Sequence, residues 1–337
     1  MAEIPWLTLF SAGALAFSVL AYVLLDGTDL GVGMLVGLAR RGADRQVMVL
    51  SILPVWDANE TWLVLGGGGL LALFPVAYSI LLPALYAPFL LMFAALVMRA
   101  MALEFREHLS CKRAVDTVLV VGSLLATGCQ GLIMGTLVQG IPSTGDPMDG
   151  HFDGSGVPWW RPFPLFCALA LVCGYAWLGA CWLYWRTEGA LQRRVRQQSI
   201  RLGMLAPALL VAVLGVSLAL NDQYAQRLLH FDVALPIAGL AVILSAAFAA
   251  ALRSRHDCLP LFAALGAVMG AFALMAYALF PLIVPPRLTI MQAAAGARTQ
   301  AFVLVGFALF VPITLAYNTY AFKLFAGKVR SRSLRTK

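Results

Sequence analysis

In PVWDANETWL (Pro54–Leu63), Asp57 and Glu60 stand three residues apart between Trp56 and Trp62, and four glycines, Gly66–Gly69, follow closely. Asp26 and Asp29 repeat that spacing in LDGTDLGVG (Leu25–Gly33), and Arg99 opens RAMALEFR (Arg99–Arg106). All five ionisable side chains fall inside long apolar runs. A three-residue spacing puts two side chains on one helix face, so each acidic pair can act together. A charge at the centre of a bilayer costs about 2.5–3.5 kcal/mol on the insertion scale, so such groups pair, reach water or take up protons. Carboxylates grouped around one arginine suit a proton or cation path. The same set could instead only lock three helices together. Four carboxylates against one arginine exceed what charge pairing needs, which favours the path.

The elements that must position these groups are membrane helices. Of 337 residues, 61% are hydrophobic and 12% charged, with a mean hydropathy of +0.85; a soluble domain is about half apolar and about a quarter charged. The expected fold is therefore all-α, a polytopic integral membrane protein. A hydrocarbon core about 30 Å thick takes about 20 apolar residues per helix. The runs that qualify are Leu7–Leu38, Val47–Leu73, Tyr78–Leu103, Val115–Gln139, Phe163–Tyr184, Leu202–Leu220, Val233–Leu252, Leu259–Ile283 and Ala301–Phe325. Arginine and lysine cluster after the first, third, fifth, seventh and ninth runs, for example at Arg40, Arg41 and Arg45 and at Arg193, Arg194 and Arg196. That alternation predicts about nine transmembrane helices, with the N-terminus outside (periplasmic) and the C-terminus cytoplasmic. The net charge of +8 thus reflects loop asymmetry and not nucleic-acid binding. The first run starts almost at once and has no basic leader, so no cleavable signal peptide is expected.

Residues 1–139 are expected to form a first four-helix bundle carrying the charges, and residues 163–283 a second four-helix bundle. Between them, residues 140–162 form a periplasmic loop anchored by Trp159 and Trp160, and residues 284–337 supply one additional helix and a basic tail. Gln192–Gln198 reads as a cytoplasmic linker that can also touch anionic lipid. With the second helix entering near Val47, a rise of about 1.5 Å per residue puts Asp57 roughly 15 Å in from the cytoplasm. Asp26, Asp29 and Arg99 lie in the cytoplasmic halves of their helices, so all five groups are expected to meet in one polar region. The small residues Gly66–Gly69 permit close helix approach; the alternative is a narrow passage for a small apolar molecule, with Trp62 at its mouth.

Other chemistries lack their residues. Haem inside a bundle takes His, Met or Cys ligands, whereas His108, His151, His230 and His256 fall in loops or at helix ends. Met98 and Met134 are left as single candidate axial ligands. The six cysteines form no CxxC pair, so neither a metal site nor a disulfide is expected. Nucleotide-binding and metalloprotease motifs are missing from the sequence.

The three motifs, in this order on the first three helices, resemble subunit II of the cytochrome bd-type ubiquinol oxidases, including their cyanide-insensitive branch. YAFKLFAGKV (Tyr320–Val329) resembles that family's closing segment. Thr28 stands where the family commonly has an aromatic residue and Ala58 where it has glycine; no ionisable group is lost. The resemblance implies a heterodimer of the bacterial inner membrane and its respiratory chain that oxidises quinol and reduces dioxygen to water. Haems b and d would be held by the partner subunit I, leaving no cofactor or metal in this chain, although the family's subunit II can hold a structural quinone. It further implies that Asp57 serves a cytoplasmic proton route and that Trp62 lies near a dioxygen route. Asp26, Asp29, Glu60 and Arg99 would complete the charge cluster, and the complex would be electrogenic without pumping. The alternative from another class is a proton-coupled secondary transporter using the same carboxylates, with Pro54, Gly66–Gly69 and Pro207 as helix breaks.

Overall fold

Prolines and charges punctuate the apolar runs, and the secondary structure follows that punctuation. The structure, a computed structural model, describes residues 4–141, 157–325 and 327–329. Helix α1 (Trp6–Val36) covers the first expected span. The second expected span, Val47–Leu73, is not one helix. It divides into α2 (Gly42–Ile52) and α3 (Trp56–Leu73) around Pro54, which brings no N–H to a helix. At Phe74 the chain leaves helical geometry (φ −136°, ψ 63°) ahead of Pro75, the first residue of α4 (Pro75–Ala84). The axes of α3 and α4 differ there by 120°. The third expected span is likewise broken at Leu85, between α4 and α5 (Tyr86–Phe105).

The later runs hold together better. They form α6 (Lys112–Gln139), α7 (Pro162–Arg186), α8 (Gly189–Leu220), α10 (Phe231–Ala251), α11 (Leu259–Leu279) and α13 (Ala297–Leu324). Gln192–Gln198 is no linker, because those residues form early turns of α8; Gln and Arg are good helix formers, and no glycine or proline interrupts them. Short pieces complete the fold: α9 (Asp222–Leu228), a hairpin of β1 (Leu282–Val284) and β2 (Leu288–Thr289), and α12 (Ile290–Ala293). Among the described residues, eight helices are long and apolar enough to cross a membrane, or nine spans if the bent α3–α4 pair counts as one. Most of the expected outer loop, residues 142–156, lies outside the described residues. Trp159 and Trp160 at its end stack edge to face, 5.9 Å apart.

The largest core cluster is built around α1, α5, α6 and α7, with Leu30, Val32, Leu119, Leu178 and Leu183 fully buried. At the arginine-rich end, Arg186 closes this core. Its guanidinium lies over the rings of Trp182 and Trp185, and Nη2 donates to the Phe325 carbonyl at 2.7 Å. Val329 N–H donates back to the Arg186 carbonyl, and Lys328 pairs with Asp257 at 2.5 Å, so the segment after α13 is fastened there through Lys328 and Val329.

Candidate functional site

Glycines decide how deeply the acidic turn of α1 is set. Where α1 crosses α7, Gly31 meets Gly179 backbone to backbone. A Cβ on Gly31 would lie 1.8 Å from the Tyr175 carbonyl oxygen, and one on Gly179 would lie 2.3 Å from the Gly31 carbonyl carbon. No larger side chain fits, and small residues are what let two membrane helices approach this closely. The crossing draws Asp26 and Asp29 into the interior, at 0% and 2% exposure.

Arg99 on α5 is also fully buried. Its Nη1 lies 2.8 Å from Asp26 Oδ1 and 2.9 Å from Glu60 Oε1, so one guanidinium nitrogen bridges carboxylates from α1 and α3. The contact with Glu60 has hydrogen-bond geometry, whereas the contact with Asp26 is a close charge pair without it. Asp29 is held differently: its Oδ2 accepts a 2.7 Å hydrogen bond from Asn59 Nδ2. Removing one member of such a buried pair costs about 3–5 kcal/mol, because the remaining charge is left without a partner.

A neutral branch runs from this centre toward α7. Tyr175 donates to Gln130 Oε1 at 3.0 Å, and Gln130 Nε2 donates to the Tyr22 hydroxyl at 2.8 Å. Tyr22 precedes Asp26 by four residues, on the same face of α1. Two linked sets thus stand side by side, Glu60–Arg99–Asp26 and Tyr22–Gln130–Tyr175, drawn from α1, α3, α5, α6 and α7.

Asp57 does not join it. It lies in the first turn of α3 and is exposed. The break at Pro54 makes Asp57 a helix-terminal residue, where the positive end of the helix dipole suits a carboxylate. Four of the five expected groups thus meet, and the fifth stands on the surface. Glu60 lies between these extremes, with its side chain 25% exposed. From Asp57 an exposed face continues along α3 through Thr61, Val64, Gly68 and Leu71, at the four- and three-residue steps of one helix side. Gly67 and Gly68 have open space beside them, while Gly66 and Gly69 face Val19 and Phe307. Trp62 is wholly buried, edge-on to Phe17 at 5.7 Å.

Sequence reading missed Asn59 and Gln130, two uncharged amides that organise the centre. It also took Arg45 for a loop charge and named Arg106 as the end of a motif. Both reach the buried Asp116, at 3.5 Å and 2.7 Å, and tie α2 and the end of α5 to α6. Of the candidate haem ligands, His108, His230, His256 and Met98 are exposed, Met134 is half-buried in α6, and His151 lies outside the described residues. Among the described residues no group of His, Cys, Asp or Glu converges as a metal site would require.

Fold and site together define a class, a multi-pass helical membrane protein with a buried arginine–carboxylate centre under its first helices. Residues 7–325 match the family described as cytochrome bd terminal oxidase subunit II. The chain is 26% identical to a probable cytochrome oxidase subunit 2 of Haemophilus influenzae over 92% of both chains. It is 30% identical to cytochrome bd ubiquinol oxidase subunit 2 of Bacillus subtilis, covering 70% of this chain and 69% of that one. With cytochrome bd-I ubiquinol oxidase subunit 2 of Escherichia coli it shares 31% identity over 52% of this chain and 48% of that one. A chain in the structure of bd oxidase from Geobacillus thermodenitrificans has the same fold, with a TM-score of 0.77 at 17% identity over 95% and 98% of the two chains.

This chain belongs to the cytochrome bd terminal oxidase subunit II family. It is a subunit of a bd-type oxidase, an oxidoreductase complex of the bacterial inner membrane, and the transporter reading finds no support.

Proposed function

We propose that this chain works beside a haem-bearing subunit I in a heterodimer that oxidises quinol and reduces dioxygen to water, and that its charged centre carries protons toward that reaction. The names of the relatives support quinol as electron donor. One observation carries the proton reading: the carboxylates are graded in burial. Asp57 is exposed, Glu60 is 25% exposed and Asp26 is fully buried against Arg99. Asp57 takes a proton from water at the arginine-rich end, which we assign to the cytoplasm. Glu60, less than one turn along α3, receives it, and Arg99 holds Glu60 beside Asp26 so that the two carboxylates share one cationic partner. Haems b and d belong to subunit I in this reading, where they supply the redox chemistry.

The exposed face of α3 is assigned to subunit I. A helix that shows Asp57 to lipid would bear the cost of an uncompensated charge, and a polar face on subunit I removes it. Gly67 and Gly68 allow the partner's helix to come close.

Asp57→Asn in the assembled oxidase tests the reading. Turnover and membrane-potential generation should fall by about 100-fold or more, the range lost when a positioned proton-transfer group goes being about 10²–10⁴, while haem absorbance stays at the wild-type level. A variant that assembles and turns over normally refutes the proton role. Loss of assembly with no active fraction marks a purely structural one.

A further inference from the structure

At the end of the bundle opposite the arginine-rich loops, α9, the start of α10, the end of α11 and the β1–β2 hairpin surround an open cavity of about 660 Å³. That lies within the range of about 300–1,000 Å³ typical of small-ligand sites. Its polar wall is formed by Gln223, Gln226, Arg227, His230, Asp232 and Tyr277. The wall is fixed in place. Tyr224, on the other side of α9, is buried and donates to the Val138 carbonyl at 3.0 Å, and burial pushes its phenol up to about 12, so it keeps that proton. Arg227 Nη1 is pinned to the Ala278 and Phe280 carbonyls, which holds the guanidinium at the cavity edge. Asp232, in the first turn of α10, has no ion-pair partner among the described residues. Immediately beside the cavity the surface turns apolar. Leu229, Phe231 and Leu235 are 63%, 75% and 58% exposed, and farther along the packed α10–α11 pair Leu240 and Met269 are also exposed.

One fixed cation and one unpaired anion share a pocket beside the exposed apolar surface of α10 and α11. From this juxtaposition we propose that the cavity binds the headgroup of a zwitterionic aminophospholipid. Its phosphate is held by Arg227 and its ammonium by Asp232, with an acyl chain lying along the exposed apolar surface of α10 and α11. Guanidinium and carboxylate each gain a charge-assisted hydrogen bond. A neutral headgroup leaves both without a counter-charge, and a purely anionic one sets its phosphate against Asp232. Gln223, Gln226 and Tyr277 supply the neutral donors that a phosphate or glycerol oxygen can accept from.

The test uses the purified oxidase complex, delipidated in detergent and titrated with phosphatidylethanolamine or phosphatidylglycerol, with bound lipids counted by native mass spectrometry. The wild type should bind phosphatidylethanolamine in preference. Asp232→Asn should abolish that preference while leaving phosphatidylglycerol bound, and Arg227→Gln should weaken both lipids by about tenfold, as expected for one lost charge-assisted bond. Because Arg227 also ties the Phe280 turn, Asp232→Asn is the deciding variant, and an unchanged melting temperature and haem spectrum show that its complex is intact. Equal lipid preference in the wild type and Asp232→Asn would overturn the proposal, as would tight retention of a quinone in place of phospholipid.

Discussion

The first and last helices of this chain meet the same solvent in opposite ways. Along their membrane-length stretches, 44% of α6 and 50% of α7 are buried inside the chain, against 6% of α10 and 11% each of α8 and α13. The first group encloses ions and amides; the second shows large apolar side chains such as Phe302 and Val305, 81% and 70% exposed. In hydrocarbon an exposed leucine or valine loses nothing, so apolar helices can stand at the rim with little internal packing. A charge has no such freedom. Helices α1, α3, α5, α6 and α7 are drawn together because polar groups on one can be satisfied only by the next.

That contrast can be broken most severely at a glycine. Gly31→Val drives a branched side chain into the α7 backbone and should abolish assembled oxidase, measured as haem absorbance and subunit content of membranes. The same change at Gly239 on α10, where an added Cβ meets nothing within 4 Å, should leave both at wild-type levels. Next in size is Arg99→Leu, which leaves Asp26 and Glu60 buried beside each other. It should cost about 3–5 kcal/mol, read from thermal unfolding of the complex. Adding Asp26→Asn and Glu60→Gln should return part of that stability, because paired neutral amides need no counter-ion.

The smallest effect is expected at the fastened segment after α13. Burial pushes the Asp257 carboxyl up, but hydrogen bonds from Lys328 and Gln192 outweigh it and hold the group below its ordinary value. The folded carboxyl therefore ionises more readily than the unfolded one. Its contribution is present above the ordinary carboxylate range, near about pH 4, and fades as pH falls through the lower folded value. Lys328→Ala should remove that acid-dependent loss, for a shift equivalent to about 0.5 kcal/mol, as half-exposed pairs usually give.

How much of this was legible in the sequence depended on charge. Asp26, Asp29, Glu60 and Arg99 stand out because an ion in an apolar run has few physical excuses, and the structure gathers all four. Asn59 and Gln130 do not stand out, since a neutral amide scarcely changes the hydropathy of its window, yet they make two of the centre's shortest hydrogen bonds. Pro54 stood out only as a helix break under the transporter reading, and the second span was drawn through it because the residues on either side are apolar and hydropathy reports immersion without reporting where a helix stops. Once that break is known, the exposure of Asp57 follows, because it has become a first-turn residue. Which way α3 then faces depends on α1 and α13 packing against its other sides, and no local pattern contains that.

Gln130 sets a limit on where a proton can go. Tyr175 gives its hydrogen to the amide oxygen, and the amide gives one of its own to Tyr22, so both donors point from α7 toward α1. An amide hands on the orientation of a hydrogen bond but neither gains nor releases a proton in water's pH range. The branch is thus an insulator with a built-in polarity. Under the proton role proposed above, it closes off α7 and leaves the acidic face of α3 as the conducting side.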